Sequence, residues 1–386
     1  MRGLAVSYIA SITLLGCAAV TGGIALYERS GPGDVVERAA TEHGYSLTDW
    51  EITKLPRKWL YKVSHLIDRR TGAEEERFIE EYFADDTSDV RRSEIEDLTE
   101  EIIEGRMTAI LEEQGLALKP PLFGDLGLIF PPVDFELDTP PRLLVVSPRN
   151  RISLDQSYLL TPGISAEAVS AIEREAESEN AGSTGVSALV INTGGLAAYP
   201  SIVSELDNYD SLIDTVFHEW LHQYLSFFPL GSSYTRNSET RTLNESVANI
   251  GGSGLAALYF QRYDAVAPDS APVPARPPDE FDFTAEMRKL RREVESLLSN
   301  GDIRAAEELM SEKRDEFEAK GFFIRRLNQA YFAFHGSYAD TPGSIDPIGP
   351  KLGTLLDRAG SPGEFVRRAS GITTAEELEA LLAKRS

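Results

Sequence analysis

Cysteine is almost missing from this chain. Cys17 is the only one in 386 residues, so no intramolecular disulfide can form, which neither requires nor forbids an extracellular setting. Histidine is scarce too: the five are His43, His65, His218, His222 and His335. Positive charge is short, with 38 Lys and Arg against 62 Asp and Glu and a formal net charge of -24. Such a surface repels a phosphate backbone, which argues against nucleic acid as a partner. There is no internal repeat. Apolar residues make up 42% of the chain, enough to bury a sizeable core in one large unit of two lobes.

Long apolar runs are limited to one, residues 4–27, which hold 24 residues without a charge. At ~1.5 Å per residue this run spans a hydrocarbon core of ~30 Å. It predicts a single-pass N-terminal membrane anchor, since a cleaved signal peptide has a shorter apolar core of ~7 to 15 residues. Leu14-Leu15-Gly16-Cys17 resembles a lipoprotein box, but the chain stays apolar from Ala18 to Tyr27 where a lipoprotein turns polar. Arg2 before the run, set against Glu28 and Arg29 after it, orients the bulk of the chain outside the cytoplasm.

After the anchor at 1–27, residues 28–141 form a helical region and connector. Helices are expected at 46–67, 73–83 and 93–111, followed by a Pro- and Gly-bearing run at 120–141. In 142–263, branched apolar residues predict strands at 143–147, 152–160 and 186–192, with a helix at 164–179. Residues 264–283 are a Pro/Ala-rich linker. Residues 284–386 form a helical C-terminal lobe, with a hairpin turned at Asn300-Gly301 and capping patterns at Ser361-Pro362-Gly363-Glu364 and Thr373-Thr374-Ala375-Glu376-Glu377.

The chemistry is concentrated in residues 207–231. His218, Glu219 and His222 stand in the order His-Glu-x-x-His. On a helix, side chains four apart lie one above the other, so both imidazoles leave one face and can hold one metal ion. Glu219 projects beside that pair, where a water on the metal would need a base. The helix is independently signalled by Ser211 or Asp210 as cap and by apolar residues at helical spacing from Leu212 to Leu225. Pro229 and Gly231 end it.

A third ligand is needed. Metzincins take a histidine six residues on, but here Leu225 replaces the required glycine and Phe228 the required histidine. Asn244-Glu245-Ser246-Val247-Ala248-Asn249 opens a second apolar helix, and Glu245 can complete a His, His, Glu site with water in the fourth position. Glu239, in a polar run, is the rival.

These two motifs resemble those of the gluzincin clan of zinc metallopeptidases, the thermolysin-like and related aminopeptidase families. The resemblance covers about sixty residues. It implies an α+β fold with a zincin-like catalytic lobe, a small mixed sheet plus two metal-binding helices, flanked by the helical N-terminal region and C-terminal lobe. It implies Zn2+ held by His218, His222 and Glu245, Glu219 as general base, and Asn249 as a hydrogen-bond acceptor for His218. An edge strand before the metal helix, here 193–200, would hydrogen-bond a peptide or protein substrate. That stretch lacks the glutamate with which many zinc aminopeptidases bind a free amine. Peptide hydrolysis also needs a donor for the oxyanion, for which the candidates are His335, Tyr338 and Tyr331. The expectation is a membrane-anchored zinc metallopeptidase. Its alternatives are a zinc-holding scaffold without catalysis and an intramembrane protease, the latter opposed by Asp207, Asp210 and Asp214 just before the motif.

Overall fold

The computed structural model describes residues 40–65, 70–118, 129–178, 185–205, 208–263, 281–339 and 341–384. In chain order the elements begin with α1 (Leu47–His65), α2 (Gly72–Phe83) and α3 (Asp89–Glu113). Next come β1 (Phe135–Asp138), β2 (Arg142–Pro148), β3 (Gln156–Leu160), α4 (Ala166–Ser178), β4 (Val186–Asn192), β5 (Gly195–Leu196) and β6 (Ser201–Ser204). The long helices α5 (Tyr209–Leu225) and α7 (Ser238–Tyr263) flank the short α6 (Pro229–Ser232). The chain closes with α8 (Phe283–Ser299), α9 (Ile303–Ala319), α10 (Gln329–His335), α11 (Ile348–Ala359), α12 (Pro362–Ala369) and α13 (Ala375–Ala383). The fold is α+β.

Two three-stranded sheets stand where a single small mixed sheet was expected. The first, ordered β3-β2-β4, is antiparallel throughout. Leu144 and Val146 of β2 share an apolar cluster with Val169, Ile172 and Ala176 of α4, and Leu143 and Val145 share another with Ala330 of α10. Cover on both faces explains why these strands read as unbroken apolar runs. The second sheet, ordered β1-β6-β5, pairs β1 parallel and β5 antiparallel to β6. Phe135, Leu137 and Val203 face the core that holds α3 and α5, while Leu196 and Ile202 face Leu47 and Trp50 of α1. One continuous core runs from α2 and α3 through α5 and α7 to α11, α12 and α13.

Strand β1 lies inside the stretch expected to be a connector. Its sequence, Phe-Glu-Leu-Asp, alternates apolar with acidic residues, and the acidic ones meet lysines rather than water. Lys54, Lys58 and Lys62 recur every four residues on α1 and so form one row. Lys58, only 4% exposed, lies 2.7 Å from Glu100, 3.3 Å from Glu104, 3.4 Å from Asp134 and 3.7 Å from Glu136. Lys62 reaches Glu104 and Asp134 at 2.9 and 3.0 Å, and Lys54 reaches Glu136 and Asp138 at 3.0 Å each. Glu100 and Glu104 of α3 also accept the backbone N–H groups of Leu137 and Phe135 at 2.6 and 3.2 Å. The outer edge of β1 is thereby closed by side chains instead of another strand. Burial alone would strip the proton from Lys58, but the four carboxylates outweigh it and hold the ammonium well above its ordinary range. Carboxylates outnumber lysines here, and burial pushes Glu100 up to about 8.

The expectation of a membrane-anchored protein is corrected here. No helix among the described residues is long and apolar enough to cross a membrane. The longest, α7, has 26 residues and carries Glu239, Arg241, Glu245 and Arg262. The run at 4–27, on which the anchor rested, lies outside the described residues, as does 264–280 of the linker.

Replacing Lys58 by Met leaves four buried carboxylates short of their counter-charge. The expected loss is about 3–5 kcal/mol, read from the urea midpoint. That deficit should shrink as the pH falls from 8 to 5, because uncompensated carboxyls have raised pKa values and take up protons in the folded state. A loss that is absent, or that grows on acidification, would contradict the lysine row's role.

Candidate metal centre

Helix α5 starts earlier than Ser211 or Asp210 would place it: Asn208 is the cap, its Oδ1 accepting from Ser211 N at 2.9 Å. Ten of its 17 residues are buried, so it is held from several sides at once. Gln223 Nε2 donates to Ala198 O and Ser201 Oγ at 2.6 and 2.9 Å, tying α5 to the entry of β6. Trp220 Nε1 donates to Pro131 O at 3.0 Å. Opposite lies α7, and the two helices meet where Gly252 faces His218. A Cβ at 252 would stand 3.2 Å from His218 N and 3.3 Å from its Cα. A side chain there could be fitted only if the two helices moved apart by a few tenths of an ångström.

That crossing brings the Glu245 carboxylate to the two imidazoles. His218 Nε2 and His222 Nε2 are 3.0 Å apart, and Glu245 Oε2 lies 3.3 Å from His222 Nε2 and 3.7 Å from His218 Nε2. Donors held ~2.0–2.1 Å from a tetrahedral ion stand ~3.3–3.4 Å from one another, and the three separations bracket that value. Glu245 Oε2 is buried and faces only the two imidazole nitrogens, so its charge must be met there by a cation, either a protonated histidine or a metal ion. His222 Nδ1 lies 2.7 Å from Asn244 Oδ1. An oxygen there accepts the Nδ1 proton and leaves the Nε2 lone pair aimed into the cluster. The donor set, two imidazoles and one carboxylate with a small part of each histidine open to solvent, suits zinc with an accessible fourth position.

The electrostatics are those of a tight site. Burial lowers the affinity of His222 for a proton, but the Glu245 carboxylate outweighs it and raises the imidazole to about 9. Burial pushes Glu245 the other way, yet His222 and His218 hold it well below the usual carboxylate range. Burial raises the Glu219 carboxyl, against the pull of the two imidazoles. Glu219 is 8% exposed and sits against the edge strand: a Cβ on Gly195 of β5 would be 2.7 Å from its Oε1.

The remaining sequence candidates divide. Glu239 is not in the site; its Oε1 accepts from Ala375 N at 2.9 Å and caps α13. Tyr338 has its ring 6.1 Å from that of His218. It is brought there because Ala339 N donates to Ser246 Oγ of α7 at 2.9 Å, one residue past Glu245. Tyr331 and His335 pack on each other, rings 4.3 Å apart, and burial takes His335 down to about 4, so it is neutral at physiological pH. Asn249 is half-buried, one turn beyond Glu245. Two residues escaped sequence reasoning. Asn244, beside the ligand glutamate, was visible only as part of the motif. Tyr234, midway between the two motifs, donates from its hydroxyl to Glu245 Oε1 at 2.5 Å and sets its ring 6.2 Å from His222.

No family model matches the chain, and neither any curated protein nor any solved structure is found to be similar to it.

Two outcomes follow from this geometry. Gly252→Val should force α5 and α7 apart, costing about 1–3 kcal/mol as an overpacked contact and weakening uptake of zinc; equilibrium dialysis that finds unchanged uptake would refute the crossing. Because His222 holds a proton up to about 9, an entering divalent ion must displace it. Zinc affinity should therefore rise about tenfold per pH unit below that value and level off above it, with proton release measurable in weak buffer.

Proposed function

We propose that the protein is a zinc metallopeptidase of gluzincin type, hydrolysing peptide bonds, with a zincin-like arrangement of α5, α7 and the β1-β6-β5 sheet. The observation that carries this reading is the convergence of the buried Oε2 of Glu245 on both histidine Nε2 atoms, with a carboxylate of different environment, Glu219, next in sequence to the first candidate ligand. His218, His222 and Glu245 would hold the ion, and Asn244 orients His222. Zinc bound there supplies Lewis acidity, acidifying a water and polarising a peptide carbonyl.

The chain's own groups do the rest. Glu219 is desolvated and carries a raised pKa, which suits a base that takes a proton from the attacking water and passes it to the leaving nitrogen. Its position against Gly195 puts it beside β5, the edge strand of its sheet. An extended substrate added to that edge would lie along the strand with its carbonyl near Glu219, which occupies the space a side chain at 195 would take. Of the three oxyanion candidates, Tyr338 is supported by its ring contact with His218; its hydroxyl would donate to the oxygen that gains charge.

Glu219→Gln should lower kcat on a peptide library by roughly 10²–10⁴-fold while zinc stays bound, whereas His222→Ala and Glu245→Ala should lose zinc. A fully active Glu219→Gln protein would remove the base assignment. Zinc retained by the parent chain without turnover of any peptide would leave a binding scaffold in place of an enzyme.

A further inference from the structure

Several arginines that are partly buried in this protein are matched to carboxylates. Arg149 bonds Glu307 twice, at 2.7 and 2.6 Å; Arg326 reaches both oxygens of Glu177 at 2.6 and 2.8 Å; Arg106 meets Glu75 and Glu76 at 3.4 and 3.0 Å. Arg241 has no such match. It is half-buried, its Nε is shut off from water without an acceptor, and among the described residues it forms no ion pair. Its guanidinium lies over the ring of Tyr234, 5.8 Å from the centroid.

The position is as informative as the missing partner. Arg241 precedes Glu245 by four residues on α7, so the two share a helix face about 6 Å apart along the axis. Tyr234 spans the interval, with its hydroxyl on Glu245 and its ring near His222. An aromatic face holds a guanidinium in place without neutralising it. The planar fork of N–H donors is then preset for a bidentate acceptor, and carboxylate is the acceptor whose geometry it fits. In a chain of net charge -24, one unmatched cation beside the candidate metal centre attracts what the rest of the surface repels.

We infer that Arg241 is a specificity-determining residue that binds a substrate carboxylate, and that the peptides this site accepts carry that group within about two residues of the cleaved bond, an extended chain advancing ~3.3 Å per residue. The inference rests on the peptidase reading of the metal centre. The carboxylate belongs either to the chain end or to an acidic side chain.

The test is calorimetric titration of the zinc-loaded full-length chain with three dipeptide hydroxamates of one backbone. The first has a free terminal carboxylate and a glutamine side chain, the second a terminal amide and glutamine, the third a terminal amide and glutamate. One charged probe should bind at least about tenfold tighter than the uncharged one, the scale of a charge-assisted bond, and which one it is identifies the source. In Arg241→Gln that preference should fall below about twofold with the uncharged probe unaffected, while Arg241→Lys, a point charge without the fork, should keep part of it. Equal binding of all three probes by the parent chain, or a preference that survives Arg241→Gln, overturns the inference. Zinc content is measured on each protein beforehand: a chain that takes up no zinc refutes the metal centre and this inference together, whereas a zinc-loaded chain without the preference refutes this inference alone.

Discussion

The close crossing of α5 and α7 at His218 and Gly252 is the constraint from which the rest of the site descends. Two helices that meet backbone to backbone at one point have little freedom to slide, so everything on their facing surfaces acquires a defined partner. One turn along α5 from the crossing is His222, and two turns back along α7 is Glu245. Its immediate neighbours, Asn244 and Ser246, serve the same crossing from either side. One accepts from His222; the other receives Ala339 N and so draws Tyr338 toward His218. A single register therefore sets the candidate ligands, the group that orients one of them and the aromatic beside them.

Charge is handled differently in different parts of the molecule. Below the β1-β6-β5 sheet, three lysines of α1 interleave with carboxylates of α3 and the β1 segment, and these contacts replace both a neighbouring strand and part of an apolar interface. Such a cluster specifies one packing of α1 because any slip of the helix strands a buried charge. In the candidate metal centre two carboxylates, Glu219 and Glu245, stand with two imidazoles, and Arg241 on the same helix as Glu245 lies over Tyr234 without a carboxylate partner among the described residues.

The identity of the second sheet depends on the same logic. β5 is two residues long and would carry no weight as a strand by itself, but it is paired to β6, which α5 covers on one face and α1 on the other. Gly195 turns toward Glu219 while Leu196 turns toward Trp50 and Leu47, the ordinary alternation of a strand. Helix α5, the edge beside it and the helix behind it are thus one packed unit.

Local spacing determined what local spacing can. His218 and His222 share a face because four residues make about one helical turn, and the apolar runs at 143–147 and 186–192 are strands because both of their faces are covered; Ser361 and Thr374 cap their helices as their side chains suggest. The α+β class and most helices were legible for that reason. β1 was not, because its alternation of Phe and Leu with Glu and Asp looks like a solvated stretch until the lysine row of α1 is in place. Neither was Tyr234, nor the separation of Tyr338 from Tyr331 and His335, nor the unmatched Arg241. Each depends on where two distant segments cross, and periodicity along one chain segment carries no information about the distance to another. Sequence by itself determined which residues could be ligands and which face each would leave; tertiary structure alone decided that they converge, because convergence is set by the packing of a glycine against a histidine thirty-four residues earlier in the chain.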